Sequence, residues 1–305
     1  MVAVIGEAST RVEDKKFLTG VGKYLDDLEF PNVCHAIFLR SPHAHARILS
    51  LNTVRAKEMP GILDIITADD VEQNKLNALK PFIQKNPNTG EAFSFSEQPL
   101  LAQKVVRYPG EPVVLIIAET VDLALNASEC IDIDYFPLPH VIDSKHAIKE
   151  NSAKVCPEVE KNIAINWKVN SSAGVEELFK RADEIVDLTI QNSRIVTNPM
   201  EPRGLVADWS KDTGRYTLYG SSQNIHVMAN CVACMLGVAD ELVRFIAPDV
   251  GGGFGSKNFC YTEYGLIAWM SERLRRPVKW IASRSEGFLS DHQGRGPSIR
   301  SPISA

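Results

Sequence analysis

The sequence predicts an α+β fold. Segments of strand period and segments of helix period are mixed along it without strict alternation. Its 305 residues suffice for about two domains, at roughly 150 residues each. Hydrophobic residues make up 44% and charged residues 23%, a globular composition that excludes disorder, collagen and coiled coil.

The elements can be justified in order. Val33 to Leu39 and Ile48 to Leu51 are short apolar strands, and Pro60-Gly61 turns the chain into the β-branched run Ile62 to Thr67. Residues 72–100 are polar and read as a surface loop. Val113 to Ala118 is apolar at every position, which predicts a strand buried on both faces. Thr120 can cap a helix over about Val121 to Cys130, and Ile131 to Tyr135 alternates as a half-buried strand. Strand, helix and strand together close a compact first domain in this reading. After a Pro-rich linker, Val175, Leu178, Phe179 and Ala182 fall at i, i+3, i+4 and i+7 of an amphipathic helix, and Val186, Leu188 and Ile190 alternate. Leu205 to Trp209 and Tyr216 to Tyr219 flank a hairpin turn. Ile225 to Leu236 is a helix stopped by Gly237. Val243 to Ala247, Phe259 to Leu274 and Val278 to Ala282 complete the pattern as strand, helix and strand.

Several function classes fall away on composition. The longest strongly apolar run is six residues, far below the ~18 of a membrane span. A net charge of −5 argues against a dedicated nucleic-acid binder. The first residues, Met1 to Glu7, lack the basic region and long apolar run of a secretory signal. Six cysteines in mostly apolar surroundings fit reduced thiols, so a cytoplasmic location is expected.

The segment richest in chemistry is Asp249-Val250-Gly251-Gly252-Gly253-Phe254-Gly255-Ser256-Lys257-Asn258, placed between a strand and a long helix. Four glycines in five positions leave the backbone bare and able to take positive φ, so its amides can converge on an anion. The count excludes a P-loop and a dinucleotide fingerprint, because Ser256 stands where each requires glycine or a different spacing. A tight connection without ligand is the other reading, against which Phe254 among glycines favours a site. Gly220-Ser221-Ser222-Gln223-Asn224 precedes a helix; it reads as a cap or as a Gln223 amide offering donor and acceptor to an oxo or hydroxyl ligand. In Asn198-Pro199-Met200-Glu201-Pro202-Arg203-Gly204, the prolines fix the backbone and Glu201 and Arg203 could form a local ion pair; the motif reads as shaping a turn rather than performing chemistry. Cys231 and Cys234 lie in an apolar helical pattern and read as buried structural thiols rather than metal ligands. His43 and His45 read as structural. Residues 271–300 carry a local charge of +4, which suits an anionic cofactor or a solvated surface.

Taken in sequence, these stretches resemble the molybdenum-cofactor subunit of the xanthine oxidase family, the molybdenum hydroxylases, of aldehyde oxidase and carbon monoxide dehydrogenase type. Arg11-Val-Glu-Asp14, Phe17-Leu-Thr-Gly20, Gly22 to Asp27, Arg40-Ser-Pro-His-Ala-His-Ala-Arg47 and Gly110-Glu-Pro-Val113 resemble the family's α/β hammerhead domain. Pro199 to Gly204, Ser221-Ser-Gln223 and Gly251 to Gly255 resemble its first molybdopterin-binding region. The resemblance implies a hammerhead domain over residues 11–140, an incomplete mixed α+β molybdopterin-binding region over 160–295 and a non-family tail over 296–305. It implies a molybdenum-molybdopterin cofactor, its cytosine dinucleotide form included, with Gln223 and Phe254 in the molybdenum environment and Gly252, Gly253 and Gly255 against the pterin. The implied activity is hydroxylation of an aldehyde, carbon monoxide or a heterocycle with oxygen from water, electrons passing to an iron–sulfur small subunit and a flavin (FAD) medium subunit. Purine-oxidising members carry glutamate where Asn258 stands, which disfavours a purine. Relatives continue into a second region that supplies the general base, so no catalytic residue is assigned here. A frameshift or premature stop, inactivity alone and exposed apolar surface are expected. A small anion- or nucleotide-binding protein and a non-catalytic pseudo-subunit are the alternatives.

Overall fold

The computed structural model describes residues 6, 8, 10–167, 173–296 and 298–304. Among them the strands are β1 (Cys34–Arg40), β2 (Ala46–Asn52), β3 (Ile62–Ile66), β4 (Val105–Val106), β5 (Pro112–Ala118), β6 (Asp132–Pro137), β7 (Ile185–Gln191), β8 (Gly204–Trp209), β9 (Tyr216–Gly220), β10 (Val243–Ile246), β11 (Val278–Ile281) and β12 (Ser298–Ser304). The helices are α1 (Asp14–Leu18), α2 (Val54–Lys57), α3 (Ala68–Gln73), α4 (Val121–Ser128), α5 (Ser144–Ala147), α6 (Ala173–Arg181), α7 (Ile225–Leu236), α8 (Thr262–Leu274) and α9 (Arg284–Ser290). The mixture is α+β, as the periodicities predict.

One seven-stranded mixed sheet, in the order β10-β9-β8-β11-β1-β5-β3, organises the molecule. It draws β1, β3 and β5 from the first half of the chain and β8 to β11 from the second. The seam is β1 beside β11, parallel, with Cys34 opposite Val278. The uniformly apolar β5 lies inside this sheet, antiparallel to β1 and to β3. Leu115 and Ile117 enter the core beneath α7 and α8, while Val114, Ile116 and Ala118 enter a second core with Ala124 and Ala127 of α4. Two cores on opposite faces are why every position of that strand is apolar.

One expectation needs correction. The strand–helix–strand unit does not close on itself: β5 joins the large sheet, whereas β6 pairs with β2 in a separate three-stranded sheet with β4. Val186, Leu188 and Ile190 do alternate in a strand, β7. β7 pairs with β12 alone, and these three side chains are exposed, as are Val175 and Leu178 of α6. Alternation reports a strand's intrinsic two-sidedness, but burial requires a second layer, and none covers β7 among the described residues.

Candidate functional site

Sheet topology brings two of the singled-out segments together. β9 and β10 are parallel neighbours with Ile246 opposite Tyr219, so the chain leaves both at the same end of the sheet. Residues 221–224 emerge from one strand and the glycine loop from the other, at the carboxyl ends where open sheets bind ligands. Gly220 permits this closeness, because a Cβ there would stand 2.5 Å from the Phe245 ring. Asn224 then caps α7, its side chain accepting from the Val227 N–H at 3.3 Å, and Gly237 ends that helix in the left-handed conformation. Capping therefore belongs to Asn224, and Gln223 is released for another role.

Gln223 reaches the loop. Its Oε1 accepts from the Gly255 N–H at 3.0 Å, and its own N–H donates to the Lys257 carbonyl at 2.9 Å. A side chain at Gly253 would collide with Gln223, its Cβ standing 2.5 Å from Oε1, so only glycine allows the two to lie together. Gly252 and Gly255 have φ of 95° and 97°. Phe254 has φ 50° and is 73% exposed, with its ring edge over Gly252. An exposed aromatic residue held at positive φ costs on the order of 1–3 kcal/mol and points to a function. Among the described residues the amides of Gly252, Gly253 and Phe254 have no hydrogen-bond acceptor, and the Gln223 NH2 has none either. The buried Ser221 hydroxyl is also unpartnered. Free amides, a free carboxamide NH2 and a backbone without Cβ atoms fit an anionic, oxo-bearing group. All five sequence-assigned residues, Gln223, Gly252, Gly253, Phe254 and Gly255, thus share one surface.

The charged residues behind the loop are paired differently from the sequence expectation. Glu201 and Arg203 do not pair with each other. Glu201 Oε2 accepts from Lys257 Nζ at 2.9 Å and from the Gly251 N–H at 2.8 Å, while Oε1 accepts from the Leu25 N–H at 3.2 Å. Burial lowers the Lys257 pKa, with Glu201 opposing the shift. Arg203 turns the other way into a fully buried site, with Nε on Asp291 at 2.5 Å and its guanidinium 3.5 Å from the Tyr261 ring centroid. Arg40 of β1 reaches Glu263 at 2.6 Å and Glu286 at 2.6 Å, tying α8 and α9 to the first half of the chain. Burial pushes the Glu263 carboxyl up, but Arg40 and Arg203 outweigh it and hold the group at about 2. Glu263 is therefore a poor base near neutral pH. These partners lie 50 to 250 residues apart in sequence, and local spacing carries no signal for them.

The remaining candidates are structural. His45 Nδ1 lies 2.6 Å from the Pro139 carbonyl, and His43 packs on Tyr135. Cys234 is exposed rather than buried, and Cys231 of α7 contacts Cys260, which lies just before α8, a pairing the sequence reading missed. No metal-binding group of His, Cys, Asp and Glu exists among the described residues. The basic segment 271–300 is used for internal stapling: Arg273 binds Asp64, Lys279 binds Asp26, and Arg284 donates to the carbonyls of Pro199 and Met200 at 2.6 Å each. A cavity of about 580 Å³ opens behind Tyr261 and His292, lined also by Arg40, Tyr108 and Glu263. Among the described residues no helix is long and apolar enough to cross a membrane.

Comparison with known proteins places this geometry. Residues 19–139 match the family model described as aldehyde oxidase and xanthine dehydrogenase, a/b hammerhead domain, and residues 155–303 match the molybdopterin cofactor-binding domain. The nicotine 6-hydroxylase large subunit of Paenarthrobacter nicotinovorans is 36% identical over 287 residues, covering 94% of this chain and 34% of that protein. The carbon monoxide dehydrogenase large chain of Afipia carboxidovorans is 30% identical over 307 residues, covering 97% and 37%. The crystal structure of quinoline 2-oxidoreductase from Pseudomonas putida 86 superposes with a TM-score of 0.88 at 30% identity, over 99% of this chain and 37% of that one. The chain spans about a third of the length of these relatives. With both halves matched in order and the fold shared throughout, the chain belongs to the xanthine oxidase family of molybdenum hydroxylases, on the side of its molybdopterin-binding large subunit.

Proposed function

We propose that this chain forms part of the binding site for a molybdenum-molybdopterin cofactor in an oxidoreductase that hydroxylates a small substrate with oxygen from water. The observation that carries the reading is the shared surface of Gln223 and the glycine loop, where three amides and the Gln223 NH2 have no hydrogen-bond acceptor among the described residues. When bound, the cofactor supplies the two-electron redox centre for that chemistry. Gln223, through its NH2, and the amides of Gly252, Gly253 and Phe254 would hold such an anionic group, with the exposed Phe254 ring beside it. A cytosine dinucleotide form would offer additional phosphate to the same donors.

Nicotine and quinoline, named for two of the relatives, are nitrogen heteroaromatics, which makes that class the first to assay beside aldehydes and carbon monoxide. Iron–sulfur and FAD-bearing subunits are the proposed electron acceptors, in keeping with relatives designated large subunit and large chain. The general base is assigned to none of these residues, so hydroxylation by this chain alone is not expected. The test is expression in a host that makes the cofactor, with and without candidate iron–sulfur and flavin subunits, followed by elemental analysis. Molybdenum should co-purify with the wild-type chain and fall in Gln223→Ala. Partner subunits without molybdenum would indicate a non-catalytic subunit, and a bound nucleotide without molybdenum a binding protein; either overturns the proposal.

A further inference from the structure

We infer that Glu201 is the positioning residue of the glycine loop, a single carboxylate that sets both the loop's place and that of Gln223. Its functional meaning rests on the cofactor reading above; its structural content does not. The carboxylate takes three donors from two separate segments: the Gly251 N–H at 2.8 Å and Lys257 Nζ at 2.9 Å from the two ends of the glycine loop, and the Leu25 N–H at 3.2 Å. The backbone doubles the attachment, since the Glu201 N–H donates to the Gly251 carbonyl at 3.1 Å. Gly251 has to be glycine for this approach, because a Cβ would stand 2.5 Å from the Glu201 Cβ.

The effect extends past the atoms that Glu201 touches. Lys257, held by its side chain to Glu201, accepts the Gln223 N–H on its carbonyl at 2.9 Å. Gln223 in turn holds the Gly255 N–H. The chain of contacts therefore starts at Glu201, enters the loop at Gly251, leaves it at Lys257 and returns through Gln223 to Gly255. Glu201 is itself immobilised: Pro202 follows it, and Arg284 grips the carbonyls of Pro199 and Met200 just before it. The same turn packs on the loop, as Pro199 would stand 3.3 Å from a Cβ at Gly252. Asp249, on the loop's approach, is tied to Lys16 and to the Lys23 N–H, so the segment around residues 16–25 braces the same corner. A carboxylate aimed at three donors in a low-dielectric corner is strongly directional.

The experiment measures amide hydrogen exchange on the full chain without added cofactor, in wild type, Glu201→Gln and the double variant Glu201→Gln/Lys257→Met. The expected result is exchange about tenfold faster or more at both Gly251 and Gly255 in the single variant, with α8 and β5 unchanged. Gly255 is the informative site, because its partner is Gln223 and not Glu201. Removing the buried cation in the double variant should likewise leave α8 and β5 unchanged and both amides fast. Restoration of slow exchange in the double variant would reduce Glu201 to a counter-ion of Lys257 and overturn the inference. Unchanged exchange at Gly255 in the single variant, or exchange raised uniformly through α8 and β5 in both variants, would overturn it as well. Molybdenum content measured in parallel separates the two claims: metal-free wild type defeats the cofactor reading and leaves the exchange result standing.

Discussion

Replacing Gly253 by alanine should separate cofactor retention from stability. The new Cβ would stand 2.5 Å from Oε1, 2.6 Å from Cδ and 2.8 Å from Cγ of Gln223. Gln223 is exposed, so its side chain swings away, and the 3.0 Å bond from Gly255 breaks. That loss is about 0.5–1.5 kcal/mol. Gly253 has no positive φ, so alanine suits the backbone and restricts the unfolded chain, a gain of about 0.4–1 kcal/mol. The two nearly cancel. Net stability should stay within about 1 kcal/mol of wild type, a shift in Tm of no more than about 2–4 °C by calorimetry. Cofactor retention behaves differently, because the displaced carboxamide can no longer donate into the site. A hydrogen bond to a charged group is worth about 1.5–3 kcal/mol, so molybdenum per chain should fall about tenfold under limiting cofactor. Wild-type molybdenum content in Gly253→Ala, or outright unfolding of the variant, would refute the reasoning.

The buried charges yield three more outcomes. Arg203→Met leaves Asp291 without its cation and removes one of two from Glu263, which should cost about 3–5 kcal/mol and show as a large loss of Tm. Acid should unfold the chain through Glu263: its folded value of about 2 lies below the ordinary 4.5, so its contribution is complete above about pH 4.5 and is lost on descent toward pH 2, with a matching acid limb in denaturant midpoints. His292 acts in the same direction, since burial lowers its pKa from 6.5 and protonation is therefore destabilising; His292→Gln should flatten the upper part of that limb. Among the thiols, alkylation followed by mass spectrometry should label the exposed Cys234 first and Cys260 last, because its contact with Cys231 and its burial push the Cys260 thiol up.

Local features are legible in the sequence. Val113 to Ala118 announces its double burial because no position can be polar, and Gly237 announces a helix end because glycine accepts φ 69° at no steric cost. The glycine run and the Gln223 segment stand out locally as small residues and a carboxamide, and the fold brings them onto one surface. The pairings were not legible. Glu201 lies two residues from Arg203 yet binds Lys257, 56 positions away, because Arg203 points into the sheet while Glu201 faces the loop. The Cys231–Cys260 contact depends in the same way on α7 meeting the segment that leads into α8. The exposure of β7 is not legible, because an alternating strand looks the same whether or not something covers it.

The seam between β1 and β11 sets a timetable for synthesis. β1 leaves the ribosome early, and its parallel neighbour is made roughly 240 residues later. At about 5–20 residues per second, that edge waits on the order of 10–50 s with its hydrogen-bonding groups unmet. During the wait β5 can cover only one side, so nascent chains should depend on holding factors for that interval, and slowing translation between the two strands should cost more folded protein than slowing it after Ile281.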